Sequence, residues 1–398
     1  MGVYSDYLNA DFDFAELEAE RKKQLQAIAE IRGRDVLVYA ANVSARQRAP
    51  ISIEYADLLP INDQLANLTG DALDLVIETG GGSGEVAEDI VKLLRGKYPD
   101  VAAIVPGMAK SAGTLIVMAC DDILMEPASA LGPIDAQIQW QGKVFSAEAL
   151  LEGLRAIQRE SAKVGHLNLA YLPILQQISP GEIQGAQNAL HFARDLVTDW
   201  LTTYKFKNWS IHSGTGNPVS DQERRLRAEE IAKQLSDHSR WLTHGRSIKI
   251  DDLEAMKLQI TDYSKQSALM DAVRRYHTLL QMLFGTNCYK VIETAHSQVY
   301  RFTGPPAQSA MSMPIAGAGL PGPVPSGRPG GVAVGFPCSN CGYVTQIQAK
   351  FRSDMADNPN AIRWPPDDKF KCSQCGADHD LKEGREALEA QFGVPVVG

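Results

Sequence analysis

Two short turns constrain this chain more than any other feature: TGGGSG at 79–84 and GMAKSAGT at 107–114. Each stands where a short apolar run, LDLVIET (73–79) or VAAIVPG (101–107), gives way to a segment of helical character. Short, mainly apolar runs of this length suit strands buried on both faces. The first turn leads into a segment whose Val86, Ile90, Val91 and Leu94 fall on one side of a helix, and the second leads into the apolar AGTLIVMAC. VLVYAA (36–41) and a helical segment around 55–68 precede them, and DILMEP (122–127) follows. Strands alternating with helices in this way predict an α/β fold with a parallel sheet built from β-α-β units.

Glycine in a strand-to-helix turn lets backbone N–H groups approach a ligand, and the helix start adds positive potential. No Gly-Lys-Ser/Thr follows the first turn, so it is not a phosphate loop. A tight structural turn is the plainer role for it. In the second turn Ser111 opens a helix, where a hydroxyl at the sheet edge has N–H groups nearby to hold a developing oxyanion. Taken alone, a serine there also reads as an ordinary helix N-cap.

With 398 residues the chain exceeds one ordinary core, so a large domain and at least one small module are expected. Residues 1–34 contain a Glu-, Lys-, Ala- and Leu-rich stretch that reads as a largely exposed helical arm for oligomerisation. From 146 to about 276 the signals are helical, and TNCYKVIET with HSQVYRF (286–302) has strand composition. Pro, Gly, Ala and Ser dominate 304–330, a linker. The expected domains are thus the arm, a large domain over 35–303, the linker, a cysteine module over 331–380 and a tail over 381–398. Hydrophobic residues make up 44% and charged residues 22%, the balance of a folded globular protein. A net charge of -9 argues against a general grip on nucleic acid. No apolar run reaches the roughly 18 residues that span a bilayer, and the acidic start is no signal peptide. A cytoplasmic location is expected.

The motifs in order, from the Gly-Gly turn through Ser-Ala-Gly and a helix ending in ACDD to LGPID (131–135), resemble the Clp/crotonase-fold serine peptidases. Among them the chain is similar to the group named after serine dehydrogenase proteinase, related to signal peptide peptidase A. The resemblance covers 35–140 and continues more loosely through HGRSIKIDDLEAMKLQITD (244–262). It implies a Clp/crotonase-like β-α-β superhelix with helical elaboration, peptide substrates and a homo-oligomer. It implies Ser111 as nucleophile, with N–H groups of Gly81 or Gly82 and of Ala112 around the oxyanion. A base must serve the hydroxyl. The Clp branch carries a histidine after the nucleophile helix, where this chain has MEPASALG (125–132). The signal-peptide-peptidase branch uses a lysine further on, and Lys163 lies at the matching distance; a buried lysine with a lowered pKa can accept the proton. His166 is the alternative, and Lys163 also reads as a solvated lysine on the face of Arg159. Lys110 points away from Ser111 as an adjacent residue. Asp122 and Asp135 are candidates to orient a base or to cap helices. Two other readings remain open: a catalytically silent scaffold on this fold, and a crotonase-type acyl-thioester enzyme.

Four of the six cysteines form two copies of one knuckle, PCSNCG with Cys338 and Cys341 and KCSQCG with Cys372 and Cys375. Two residues between cysteines let both thiolates face one ion, and four thiolates make a closed structural Zn2+ site. The expected zinc ribbon would hold a small module together and offer a surface for a protein partner. His379 is an alternative ligand. Cys120 and Cys288 read as small buried apolar residues.

Overall fold

In the computed structural model of the chain, strand β1 (Asp35–Ala41) is apolar from Val36 onward because both its faces are buried there. Leu37 and Tyr39 enter one core, and Val36, Val38 and Ala40 enter another on the opposite side of the sheet. The structure describes residues 2–45, 49–140, 143–212, 214–303, 331–338, 344–352, 358, 361–392 and 394–397. The chain divides into two compact units, Met1–Met311 and Ser312–Gly398. The expected linker, 304–330, lies outside the described residues.

In the first unit, α1 (Val3–Asn9) and α2 (Phe14–Arg32) precede β1. Then follow α3 (Leu58–Ala66), β2 (Ala72–Glu78), α4 (Gly84–Lys97), β3 (Asp100–Val105), β4 (Met108–Ala109), α5 (Ala112–Met118), β5 (Asp122–Met125) and β6 (Ala130–Leu131). A hairpin of β7 (Gln137–Trp140) and β8 (Lys143–Ser146) opens the helical part, α6 (Ala147–Val164), α7 (Leu172–Leu175), α8 (Pro180–Trp200), α9 (Asp221–Ser236), α10 (His238–Trp241) and α11 (Ile250–Ala255). The unit closes with β9 (Thr261–Asp262), α12 (Ser267–Phe284), β10 (Cys288–Glu293) and β11 (Gln298–Phe302).

The main sheet runs β11-β10-β1-β2-β3-β5-β9. From β1 to β9 the neighbours are parallel, whereas β10 and β11 extend the β1 edge antiparallel. Helices α3, α4 and α5 cover one face, with Val86, Ile90, Val91 and Leu94 of α4 buried as the helical spacing predicts. Each such side chain contributes roughly 1.5–3 kcal/mol on burial. Cys120 and Cys288 are buried, each in one of the two cores, and burial pushes the thiols up to about 12 and about 11.

The N-terminal helix departs from the exposed arm expected of it. Leu17, Arg21, Gln24, Leu25 and Ile28 of α2 are buried, and the helix packs with α12 over the second sheet face. Its polar look misleads because one of its charges is neutralised inside the fold: Arg21 donates to Glu293 of β10 at 3.1 Å, both side chains fully buried. Asp13 starts the helix with a reciprocal capping box to Glu16.

The second unit pairs β12 (Gly331–Pro337) with β13 (Val344–Lys350), adds β14 (Ile362–Arg363) and a hairpin of β15 (Lys369–Lys371) and β16 (Asp378–Asp380), and ends in α13 (Lys382–Phe392). Its core is small, built on Ile347, Phe351, Trp364 and Phe370. Leu381 and Val396 belong to that core, so the expected tail 381–398 is an integral part of this unit. Among the described residues no helix is long and apolar enough to cross a membrane.

Candidate active site

The two turns named in the sequence meet at the carboxyl ends of β2 and β3. Thr79 N–H donates to Met108 O at 2.9 Å, and Lys110 N–H donates to Thr79 O at 3.0 Å, so the turn after β2 is laced to β4. Gly81 (φ 108) and Gly82 (φ 156) both take backbone conformations that disfavour a side chain. Crowding demands glycine as well: a Cβ on Gly82 would lie 2.3 Å from Ile53 N. Gly113, in the first turn of α5, packs so tightly that a Cβ there would lie 2.4 Å from Thr79 Cγ2. The small residues of both motifs are therefore what lets one turn rest on the other.

Ser111 stands between β4 and α5 with φ 51 and ψ -118, although it is not glycine, and its hydroxyl makes no capping bond. Such a conformation costs on the order of 1–3 kcal/mol and persists only where the surroundings impose it. It resembles the sharp strand-to-helix turn that exposes a nucleophilic serine in other hydrolases. An N-cap serine would instead have extended backbone and a bond to the helix, as Ser83 has to Val86 N–H at 3.1 Å.

Of the candidate oxyanion donors, Gly81 N–H is spent on Thr79 Oγ1 at 3.1 Å. Gly82 N–H and Ala112 N–H meet no acceptor among the described residues. Gly82, Ser111 and Ala112 line one cavity of about 490 Å³, whose far walls are 134–137 and the α8 residues Gly185, Asn188, Ala189 and Phe192. An N–H at the first residue of a helix has no partner within the helix, so Ala112 is a donor waiting for one.

Lys163 does not line this cavity. It sits exposed in the last turn of α6, as does His166 just beyond it, and α6 buries only Ala147 and Leu151 at its opposite end. Lys110 points elsewhere too: its ammonium donates to Gly245 O at 2.9 Å, Arg246 O at 3.0 Å and Ser247 Oγ at 3.0 Å. Asp122 is structural, accepting from Thr261 Oγ1 and Lys205 Nζ.

Asp135 is different. Only 1% exposed, it lies on the cavity wall and receives two imidazoles, His244 Nδ1 at 2.6 Å and His238 Nδ1 at 3.2 Å. Burial alone would raise its carboxyl, but the hydrogen bond and charge of His244, with Ser146 and His238, hold it below the usual carboxylate range. Neither histidine was singled out from sequence. The available signal was the segment beginning at His244, which resembled the peptidase family without naming a role for the histidine.

In the second unit Cys338, Cys372 and Cys375 bring their sulfurs within 4.8 Å of one another, with 3.5 Å between Cys338 and Cys375. Tetrahedral zinc with bonds of about 2.3 Å sets its sulfurs about 3.8 Å apart, so this donor set fits the ion. Cys341, the fourth expected ligand, lies outside the described residues. His379 Nε2 is 3.1 Å from Cys338 Sγ, and its ring stacks on Phe370.

Residues 64–207 match the family model of the ClpP-like SDH-type serine proteinases. Over that stretch, less than half of the chain, the sequence is similar to that family. The matched stretch holds both turns, with Ser111, Asp135 and Lys163, and leaves His244 outside. Two curated relatives from Methanocaldococcus jannaschii are similar over 188 residues. Uncharacterized protein MJ0137 is 27% identical over 47% of this chain and 53% of its own length. Uncharacterized protein MJ1495 is 28% identical over 47% and 51%. The chain thus spans about half the length of the curated relatives it matches. Among solved structures, a mutant of the 1510-N membrane-bound stomatin-specific protease is similar at 13% identity over 54% of this chain and 78% of that one, with a TM-score of 0.31. ClpP1 from Listeria monocytogenes is similar at 18% identity over 41% and 89%, with a TM-score of 0.23.

Proposed function

We propose that the chain is a serine peptidase that cleaves peptide bonds through an acyl-enzyme, with Ser111 as nucleophile and the N–H groups of Gly82 and Ala112 holding the oxyanion. The observation that carries this reading is the backbone of Ser111. A left-handed, uncapped serine between a strand and a helix has no use in stability, and it faces a cavity with two unmet N–H donors. In the scaffold and thioester readings that conformation serves nothing. Peptide would enter the cavity between the 79–84 turn and α8.

The reading includes a domain over 35–303 as the catalytic part, a structural zinc ion in the C-terminal module with Cys338, Cys341, Cys372 and Cys375 as its ligands, and a protein partner at that module. It also includes assembly with further copies and a cytoplasmic location. The Ser-Lys form of the mechanism requires the Lys163 amine to reach Ser111 from the outer end of α6. Fluorophosphonate labelling read by intact mass tests the core claim. One adduct on the wild type and none on Ser111→Ala supports it; an unlabelled wild type that is folded refutes it. Labelling of Lys163→Ala decides the lysine.

A further inference from the structure

Resting on that reading, the geometry points to His244, oriented by Asp135, as the general base that serves Ser111. A base of this kind needs one ring nitrogen fixed by a hydrogen-bond partner and the other free to take a proton. His244 Nδ1 donates to Asp135 Oδ1 at 2.6 Å, which leaves Nε2 as the acceptor. The carboxylate is buried on the wall of the cavity that Ser111 also lines.

The segment that carries His244 is tied to the segment that carries Ser111. Lys110, immediately before the serine, gives all three ammonium donors to Gly245, Arg246 and Ser247, immediately after the histidine. Leu131 and Ile248 exchange both backbone hydrogen bonds at 3.0 Å, so the strand leading to Asp135 and the segment leading from His244 run side by side. Thr114 of the nucleophile helix joins the same frame, donating to Gly132 O and accepting from Gly132 N–H, both at 3.0 Å. His238 shares the carboxylate at the longer 3.2 Å and, among the described residues, has no such tie to the Ser111 turn.

In the step this implies, Ser111 Oγ forms a bond to the scissile carbonyl carbon as its proton passes to His244 Nε2. The carbonyl π pair moves onto oxygen beside Gly82 and Ala112 N–H. The pair returns as the C–N bond breaks, and His244 gives the proton to the leaving amine. Water then attacks the ester, its proton going to His244, and the C–O bond breaks as that proton returns to Ser111 Oγ. Asp135 stays ionised and holds the ring.

The test is the fluorophosphonate labelling rate of the full chain as wild type, His244→Gln and His244→Ala, each with its thermal unfolding midpoint. His244→Gln keeps a donor for Asp135 but cannot take a proton, and a loss on the order of 10²-fold or more is expected. Added imidazole should restore labelling in His244→Ala, a rescue that a merely structural histidine would not show. Wild-type rates in His244→Gln, or loss in Lys163→Ala with His244→Gln still active, would overturn the assignment and leave Ser111 as nucleophile. A wild type that takes no label would overturn the hydrolase reading, and this assignment with it.

Discussion

Gly81 and Ser111 touch so closely that a Cβ on the glycine would stand 2.6 Å from Ser111 Cβ and 3.3 Å from its hydroxyl oxygen. Space, more than hydrogen bonding, is what the first glycine turn gives the second turn. Gly81→Ala would push the serine off its position and would itself be strained at φ 108. It is expected to lower stability by about 1–3 kcal/mol. Fluorophosphonate labelling should fall more than tenfold, well beyond the effect on a urea unfolding curve.

The contact between Gly113 and Thr79 offers a cleaner separation of packing from chemistry. Gly113→Ala should destabilise by about 1–3 kcal/mol, the usual cost of an extra carbon in a filled core. Thr79→Ser removes the opposing Cγ2 while keeping the hydroxyl that accepts from Gly81 N–H. Most of the loss should return in the double variant, as read by chemical denaturation.

Arg21 anchors the N-terminal helix to the sheet edge through a fully buried pair with Glu293, which Tyr276 Oη also reaches at 2.8 Å. Removing Arg21 leaves the buried carboxylate with Lys22 at 3.5 Å as its remaining cation, so Arg21→Met is expected to cost up to about 3 kcal/mol. Arg21→Met with Glu293→Gln should cost less. An exposed arm would show neither effect, so urea titration of the two variants decides between an arm and a packed helix.

Asp135 predicts a pH dependence with a definite sign. Its carboxyl is depressed in the fold, so its stabilisation is fully present above the unfolded carboxylate value of about 3.9 and is lost as pH falls through the lower folded value. The difference in unfolding free energy between wild type and Asp135→Asn should be largest near neutrality and shrink below about pH 4. A difference that grows on acidification would contradict the folded environment described for this carboxylate.

The C-terminal unit has a small core, and a metal should hold it. The purified chain is expected to carry one zinc per chain by elemental analysis. Cys372→Ser should lose the metal and render the unit Ser312–Gly398 sensitive to protease. The unit Met1–Met311, whose cores contain none of these cysteines, should keep its unfolding midpoint.

Local patterns in the chain already carried the sheet. Doubly buried strands are largely apolar, and turns that pack backbone on backbone favour glycine, so β1, β2, β3 and β5 and the two turns around Ser111 could be read one residue after another. The cysteine knuckles were legible for the same reason, because a two-residue spacing is a local geometric requirement. Residues joined over long distances were not legible. Arg21 meets Glu293 across 272 positions and His244 meets Asp135 across 109, and no periodicity encodes such pairs. Lys163 was reached by counting along the chain, and the fold left it exposed in the last turn of α6. Composition and spacing alone determined the parallel strands, the two glycine turns and the paired cysteines. Which charges are buried, which helix is packed and which histidines meet Asp135 were decided only when tertiary structure brought distant segments together and removed water from between them.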